Sequence, residues 1–179
     1  MLKKILIGVA VLIVGFVIVV ATRPSEFRVT RSTTISAPPA VVFAQINDFH
    51  NWQAWSPWAE LDPNSKVVFE GAQSGAGAVF KWSGNDQVGE GSNTIIDSRP
   101  YEVILIKLEF IKPFQATNTA EFTFHSEGDK TIVTWSMFGQ NNFIAKAVGL
   151  FMNCDKMVGG QFEQGLTKLK TVTEKASGK

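Results

Sequence analysis

Three side chains in the sequence are suited to acid–base chemistry: His50, Glu90 and Asp97. A histidine changes its charge near neutral pH, and a carboxylate inside an apolar cavity can hold and move a proton. No nucleophile or carboxylate stands at a recognisable spacing from His50, so we interpret it first as a helix-end residue beside aromatic side chains. The three residues are therefore candidates for proton transfer only if the protein is an enzyme.

The sequence predicts no metal centre and no bound cofactor. Its two histidines, His50 and His125, lie far apart, and Cys154 is its single cysteine. Zinc sites need several such ligands at short spacings. We expect His125 to point to solvent from its strand and Cys154 to be a buried, inert thiol in the last helix.

The composition is that of a folded chain that does not bind nucleic acid. The 179 residues are 45% hydrophobic and 18% charged, and the formal net charge is +1. This apolar fraction excludes a disordered chain, and the absence of a basic excess argues against nucleic acid as the main partner. The length fits one globular domain with an appendage.

The appendage is an apolar N-terminal segment that begins after Lys3 and Lys4. Residues 5–21 contain no charged side chain. As a helix with a rise of about 1.5 Å per residue, residues 5–22 cross roughly 27 Å, close to the ~30 Å hydrocarbon core of a bilayer. The run is longer than the apolar region of about 7–15 residues in a secretory signal, so an uncleaved transmembrane anchor is favoured over a cleaved signal segment.

The charges before this segment predict its orientation. Lys3 and Lys4 favour a cytoplasmic N-terminus, which places the rest of the chain on the extracytoplasmic, periplasmic side. We therefore expect a single-pass membrane protein whose folded domain stays close to the lipid. The predicted divisions are an anchor or signal segment (1–22), a short linker (23–26), the domain (27–175) and a polar tail (176–179).

Hydrophobic periodicity predicts an α+β domain. An alternating pattern indicates a first strand at 27–35, and helical spacing of apolar residues indicates a helix that follows Ser36. Residues 142–174 have the spacing of one long helix, with a bend or a close backbone approach at Gly159 and Gly160. Between the helices, period-two patterns separated by glycine and proline predict six antiparallel strands at 66–70, 78–82, 89–98, 102–111, 117–126 and 130–139.

The predicted sheet is strongly bent, and the terminal helix must cover its inner face. One helix does not readily fill such a concavity, so we expect an apolar cavity between the helix and the sheet. Large side chains on the inward faces are its candidate lining. They are Trp55, Phe80, Trp82, Ile104, Ile106, Leu108, Phe122, Phe124, Trp135, Met137, Phe151, Val158 and Phe162.

Three tryptophans, Trp52, Trp55 and Trp58, follow the first helix of this domain at a spacing of three. Tryptophan is favoured both in a dry core and in the headgroup layer of a membrane. The favoured interpretation is a structural plug that closes one end of the bent sheet. The alternative is a ligand entrance or a contact with the lipid interface.

Three segments of the sequence form a recognisable combination. They are Ser-Ala-Pro-Pro-Ala-Val-Val-Phe at 36–43, Asn-Trp-Gln-Ala-Trp-Ser-Pro-Trp at 51–58 and Gly-Gln-Phe-Glu-Gln-Gly-Leu-Thr-Lys-Leu-Lys at 160–170. With the order of elements, they resemble the SRPBCC superfamily over about residues 27–175, and more narrowly its polyketide cyclase/dehydrase and lipid-transport branch. The resemblance implies a helix-grip fold, in which a seven-stranded, curved antiparallel sheet wraps around a long C-terminal helix with a hydrophobic cavity between them.

The superfamily includes START-like lipid carriers and aromatic-ring cyclases, so the fold alone does not choose a function. No catalytic residues are carried over from it. The leading hypothesis is membrane-tethered binding or transport of a lipid or other hydrophobic small molecule in the cavity. Two alternatives stay open: a polyketide cyclase/dehydratase-like enzyme, which needs His50, Glu90 or Asp97 to point inward, and an envelope protein-interaction module with a filled cavity and an exposed apolar patch.

Overall fold

The N-terminal segment forms one long helix. A computed structural model of the protein describes residues 1–178, with the backbone alone at Cys154. Helix α1 (Leu2–Ala21) is long and apolar enough to cross a membrane. Most of its side chains are exposed, whereas Val20 near its end is fully buried. Residues 22–25 connect α1 to the first strand.

Seven strands form one antiparallel sheet, as predicted. Their order across the sheet is β1-β7-β6-β5-β4-β3-β2, so the first strand pairs with the last. In this pairing Glu26 faces Gln140 and Ile35 faces Thr131. The strands are β1 (Glu26–Ile35), β2 (Lys66–Gly71), β3 (Ala78–Ser83), β4 (Glu90–Arg99), β5 (Val103–Lys112), β6 (Ala116–Glu127) and β7 (Lys130–Gln140).

Irregular pairing helps to bend the sheet. Between β4 and β5 the register shifts between Glu90 and Gly91 and again between Ile95 and Asp97. Extra residues of this kind bend a strand and increase its twist. Gly91 also permits a close approach, because a Cβ at this position would overlap the ring of Trp82.

The helices come before β2 and after β7 in the sequence. Helix α2 begins with a proline at its first turn, where the missing N–H would have had no partner in the helix. Within the described part of the chain, the helices after α1 are α2 (Pro39–Asn47), a 3-10 helix (Phe49–Ala54), α3 (Trp58–Leu61), α4 (Phe143–Val148) and α5 (Cys154–Ala176).

The prediction of a single helix at 142–174 is wrong, because two capping residues start two separate helices. The side chain of Asn142 accepts a hydrogen bond from the backbone N–H of Ala145 at 2.9 Å. The side chain of Asn153 accepts one from the backbone N–H of Lys156 at 3.0 Å. Each asparagine thereby satisfies an N–H group that has no partner inside its helix.

The two glycines predicted to disturb the last helix do not interrupt it. Helix α5 continues through Gly159 and Gly160 without a break. The expected close approach is confirmed at Gly159, where a Cβ would overlap the guanidinium group of Arg31 on β1. At Gly160 no heavy atom lies within 4 Å of the corresponding position. One glycine therefore serves packing, and the other lies beside open space.

Helix α5 covers the inner face of the sheet with one apolar stripe. Phe162, Leu166 and Leu169 are each at most 2% exposed, and their spacing places them on one side of the helix. The glutamate that follows Phe162, Glu163, is exposed. This arrangement of a curved seven-stranded antiparallel sheet, a long C-terminal helix and an apolar N-terminal helix confirms the predicted α+β helix-grip fold.

Candidate functional site

A stack of aromatic rings lies at the centre of the space between the curved sheet and α5, which we call the grip. Trp135 on β7 lies between Phe122 on β6, at 4.8 Å between ring centroids, and Phe162 on α5, at 4.0 Å. The planes of Trp135 and Phe162 are only 9° apart. Trp55 contacts both Phe122 and Trp135 with ring edges and is fully buried. These rings fill the middle of the space between the sheet and α5.

Most of the other side chains predicted to line a cavity surround this stack. The structure places all of them except Trp82 in the hydrophobic core or packed against it, and Trp82 contacts the rings of Phe80 and Phe110. Ile104, Ile106, Phe124 and Met137 are buried, and Phe80, Trp82, Leu108 and Val158 are half-buried.

Phe151 lies apart from this group. It is 82% exposed and belongs to the segment between α4 and α5. Helical spacing predicted that Phe151 shares a face with Val158 and Phe162, and this prediction is wrong because the helix is broken between α4 and α5. The break could have been predicted from Asn153, because asparagine is a favoured residue at the start of a helix. Hydrophobic spacing alone does not reveal such capping residues.

The three tryptophans at 52, 55 and 58 pack into the core. The indole N–H of Trp52 donates to the Ile46 carbonyl oxygen at 2.9 Å, and that of Trp55 donates to the Gln45 carbonyl oxygen at 3.2 Å. Trp58 is half-buried and meets Trp135 with its ring edge. The three rings are therefore built into the core, as a structural plug requires.

Two buried polar atoms in the described structure have no hydrogen-bond partner. They are Nε1 of Trp135, in the middle of the ring stack, and Oε1 of Gln161 on α5. A buried donor or acceptor without a partner costs about 1–3 kcal/mol. Each of these two atoms therefore lowers the stability of the described structure unless it gains a partner.

The acid–base candidates lie outside the grip. His50 is half-exposed, with its Nδ1 at 2.7 Å from Oδ1 of Asp48 and its ring stacked on Phe69 at 4.1 Å. Asp48 was not predicted as the partner of His50. An aspartate just before a helical turn is a favoured capping residue, and this could have indicated the contact. In the structure the side chain of Asp48 also accepts a hydrogen bond from the backbone N–H of His50. Asp48 lines a surface pocket of about 390 Å³ on the outside of the domain.

Glu90 and Asp97 each face a basic residue at the surface. Glu90 lies 2.8 Å from Nζ of Lys112, and their hydrogen bond raises the pKa of that lysine. Asp97 lies 3.4 Å from Nε of Arg99. Both side chains are paired at the surface, and neither is placed to exchange a proton with a group in the interior.

The described residues contain no group of three or more histidine, cysteine or carboxylate side chains that could hold a metal ion. His125 is exposed on β6. The prediction of a buried thiol at Cys154 concerns a side chain that lies outside the described part of the structure.

A pocket of about 520 Å³ opens next to the C-terminal end of α1, which we call the foot of α1. We call it the amphiphilic pocket, because Leu150, Phe151 and Met152 form an apolar wall while Arg23 and Lys146 contribute positive charge. Its volume is within the range of about 300–1,000 Å³ that is usual for small-molecule sites. Its lining is Arg23, Pro24, Glu26, Asn141, Ala145, Lys146, Gly149, Leu150, Phe151, Met152 and Asn153.

The sequence from residue 26 to residue 174 matches the family model described as polyketide cyclase/dehydrase and lipid transport. The chain belongs to this family. The match confirms the resemblance drawn from the three sequence segments, and it covers the domain from β1 nearly to the end of α5. A comparison of the sequence with curated proteins gives no match.

Solved structures share the fold of this polyketide cyclase/dehydrase and lipid transport domain. A protein from Chromobacterium violaceum is 16% identical, with a TM-score of 0.60 over 85% of this chain and 99% of that one. A Thermobifida fusca protein is 18% identical, with a TM-score of 0.62 over 83% and 93%. The di-domain ARO/CYC BexL from the BE-7585A biosynthetic pathway is 16% identical, with a TM-score of 0.60 over 88% and 53%. At these identities the likeness establishes the fold and leaves the ligand open.

Proposed function

We propose that this family member is a membrane-tethered protein that binds a lipid or another hydrophobic small molecule. The observation that carries the proposal is the amphiphilic pocket at the foot of α1. Its apolar wall suits a hydrocarbon chain, and Arg23 and Lys146 suit an anionic or strongly polar headgroup. Burial of about 300 Å² of apolar ligand surface at roughly 25 cal/mol per Å² supplies about 7 kcal/mol before entropic costs. No catalytic group is required for such binding.

In this proposal α1 holds the protein in the bilayer that supplies the ligand. Residues 1–22 act as the anchor, 23–26 as the linker and 27–175 as the binding domain, followed by the polar tail 176–179. Lys3 and Lys4 keep the N-terminus in the cytoplasm, so that the domain works on the periplasmic side.

We extend the proposal to the interior residues that the sequence analysis selected as a cavity lining. For a hydrocarbon chain to enter between α5 and the sheet, the rings of Trp135 and Phe162 must separate. The unpartnered Nε1 of Trp135 then supplies a donor, and Oε1 of Gln161 an acceptor, for a polar group on the ligand. The interior therefore serves as the deeper part of the site, reached by movement of side chains.

Native mass spectrometry and solvent extraction of the full chain, purified in mild detergent, test the proposal. We expect a lipid or other apolar molecule to co-purify at a fixed ratio. Leu150→Asp and Lys146→Glu should release it, because they change the apolar and basic walls of the amphiphilic pocket. Lys66→Glu on β2 is the matched control and should retain it. Thermal unfolding of each variant separates ligand loss from loss of the fold.

Lipid that merely surrounds α1 is present in all of these proteins, so only a difference between the pocket variants and the control supports the pocket. A wild-type chain that carries no ligand at a fixed ratio, and that binds neither lipid nor hydrophobic dye, would overturn the proposal.

The ring stack favours a second candidate function, an envelope protein-interaction module whose interior is filled by its own side chains. Trp55, Phe122 and Phe162 are each at most 2% exposed and meet directly through Trp135. This candidate predicts a chain that is free of ligand and a protein partner that is recovered by cross-linking in membranes. The extraction experiment therefore separates the two candidates.

A further inference from the structure

Six large apolar side chains lie exposed at one end of the domain. They belong to α4, to the segment after it and to the first turn of α5, and they are Phe143, Ile144, Val148, Phe151, Met152 and Met157. Phe151 is 82% exposed and Ile144 is 65% exposed. Single exposed apolar residues are ordinary, but a cluster within so short a segment marks contact with another molecule or with a membrane.

The pairing of the first and last strands places this cluster beside α1. Glu26 at the start of β1 faces Gln140 at the end of β7, and α4 follows shortly afterwards. The backbone N–H of Asn141 also donates to the Ser25 carbonyl oxygen at 2.7 Å. Helix α1 is in contact with α4, and Val20 in the last turn of α1 is fully buried. The cluster therefore lies at the level at which α1 ends.

Basic side chains accompany the apolar cluster. Arg23 and Lys146 share the amphiphilic pocket with Phe151 and Met152, and Lys156 precedes Met157. Basic residues next to a bilayer attract anionic headgroups, and apolar side chains beside them enter the boundary between headgroups and acyl chains.

The neighbouring acidic groups do not reverse this charge. Asp155 lies 3.1 Å from Nη2 of Arg31 and is engaged in that ion pair. Glu26 is the one carboxylate that lines the amphiphilic pocket, whose lining also includes the two basic residues Arg23 and Lys146.

We infer that these six residues form a membrane-docking surface, which lies in the headgroup layer of the same bilayer that holds α1. The inference rests on the proposed tether and deepens it, because a second contact fixes the domain against the lipid. The amphiphilic pocket, which includes Phe151 and Met152, then opens at the lipid surface, where it receives a lipid directly from the bilayer.

Depth-dependent fluorescence quenching on the full chain tests this inference. Cys154→Ser provides the background, and single cysteines are introduced by Phe151→Cys or Ile144→Cys in the docking surface, Val11→Cys in α1 or Glu127→Cys at the β6–β7 turn. Each carries a polarity-sensitive fluorophore in vesicles of phosphatidylcholine and phosphatidylglycerol. Nitroxides near the headgroup or deep in the acyl chain serve as quenchers. Glu127 is the control, because the antiparallel register puts this turn at the opposite end of β1 from α1.

We expect the label at Val11 to lose emission with the deep quencher and the labels at Phe151 and Ile144 to lose emission with the shallow one. The label at Glu127 should keep its emission. Quenching at Val11 without quenching at Phe151 and Ile144 overturns the docking surface and leaves the tether standing. Quenching at Phe151 and Ile144 without quenching at Val11 supports the docking surface and overturns the tether. A shielded but unquenched label at Phe151 assigns the surface to a protein, such as a second copy of this chain, and overturns the inference.

Hydrogen exchange of the unsubstituted full chain provides a second measurement that does not depend on any substitution or label. We expect the backbone amides of residues 143–152 to exchange more slowly in nanodiscs that contain phosphatidylglycerol than in nanodiscs of phosphatidylcholine alone. The expected cause is attraction of anionic headgroups by Arg23, Lys146 and Lys156. Amides of the β6–β7 turn should exchange at the same rate in both. Equal rates for residues 143–152 would contradict the electrostatic part of the inference.

Discussion

Arg31 joins the first strand to the last helix through two carboxylates. Its Nη2 lies 3.1 Å from Oδ2 of Asp155, and its Nε lies 2.6 Å from Oε1 of Glu163. The hydrogen bond to Asp155 is the main reason that the pKa of Arg31 is raised, with a further contribution from Glu163. Gly159 leaves room for the guanidinium group, which explains why a glycine is tolerated in the middle of α5.

The carboxyl group of Asp155 should make the stability of the fold depend on acid. Its pKa is lowered chiefly by the hydrogen bond that it accepts from Arg31. A folded-state pKa below the unfolded value of about 3.9 stabilises the fold fully above that value, and the stabilisation is lost as the pH falls through the folded-state pKa. We therefore expect Asp155→Asn to lower the melting temperature at neutral pH and to reduce the loss between about pH 5 and about pH 2.

Thermal unfolding of the full chain in detergent at stepped pH measures this difference. Glu127→Gln at the exposed β6–β7 turn is the control, and it should follow the wild-type curve. An identical acid profile for wild type and Asp155→Asn would show that the ion pair does not contribute.

Two glycines of α5 should respond in opposite directions to alanine. A Cβ at Gly165 would lie 2.9 Å from Cζ3 of Trp135 and 3.0 Å from Cδ of Pro57, so Gly165→Ala overpacks the core. We expect this change to destabilise the protein by about 1–3 kcal/mol. At Gly160 the space is open, and Gly160→Ala should stabilise the helix by up to about 1 kcal/mol. Denaturant unfolding followed by tryptophan fluorescence measures both, and a shift of the same sign in the two variants would contradict the packing around Gly165.

At the scale of elements, Phe162 is one of three buried side chains, with Leu166 and Leu169, through which α5 packs on the sheet. Phe162 is 2% exposed and stacks on Trp135. Phe162→Ala should cost about 3–5 kcal/mol, because it removes a buried ring and leaves a cavity. Phe114→Ala, at a residue that is 75% exposed in the β5–β6 turn, is the control and should change the stability by no more than about 0.5 kcal/mol.

Chemical unfolding of these two phenylalanine variants, with ring packing followed by near-ultraviolet circular dichroism, decides this prediction. Similar small losses in both would mean that Phe162 does not hold α5 on the sheet.

The strands and the first helices follow from local patterns, whereas the last two helices do not. Alternating side chains with glycine and proline between them place all seven strands close to their observed bounds. The apolar spacing in residues 142–174 is helical throughout, yet Asn142 and Asn153 cap two separate helices. Hydrophobic spacing reports which side chains share a face, but it does not report where the backbone N–H groups find their partners.

At the scale of the whole molecule, α1 is a candidate membrane-spanning helix that precedes the folded domain. The expected outcome is that the full chain stays in the membrane pellet after extraction at alkaline pH. Leu12→Arg places a charge near the middle of α1, at a cost of about 2.5–3.5 kcal/mol for insertion, and should move part of the protein into the soluble fraction.

Phe114→Arg is the matched control, since it introduces the same residue at an exposed apolar position outside α1. It should remain in the pellet with the wild type. Release of wild type and both variants alike would show that α1 is not an anchor.

The sequence by itself determined the apolar N-terminal helix, the order of the elements, the curved antiparallel sheet and the family. The helix and the strands depend on residue composition and on periods of two or 3.6, which any short stretch of chain displays. The family was recognised from the three segments at 36–43, 51–58 and 160–170 together with the order of elements. The inward positions of Phe122, Trp135 and Phe162 could be predicted in the same way.

Only the tertiary structure decided which of these residues touch. Arg31 and Glu163 are 132 positions apart, and they meet because β1 lies beside β7 under α5. The same pairing of β1 with β7 brings α4 to the end of α1, where the amphiphilic pocket lies. The ring stack was decided in the same way, because the contacts between a sheet and a helix depend on how side chains from distant segments interlock.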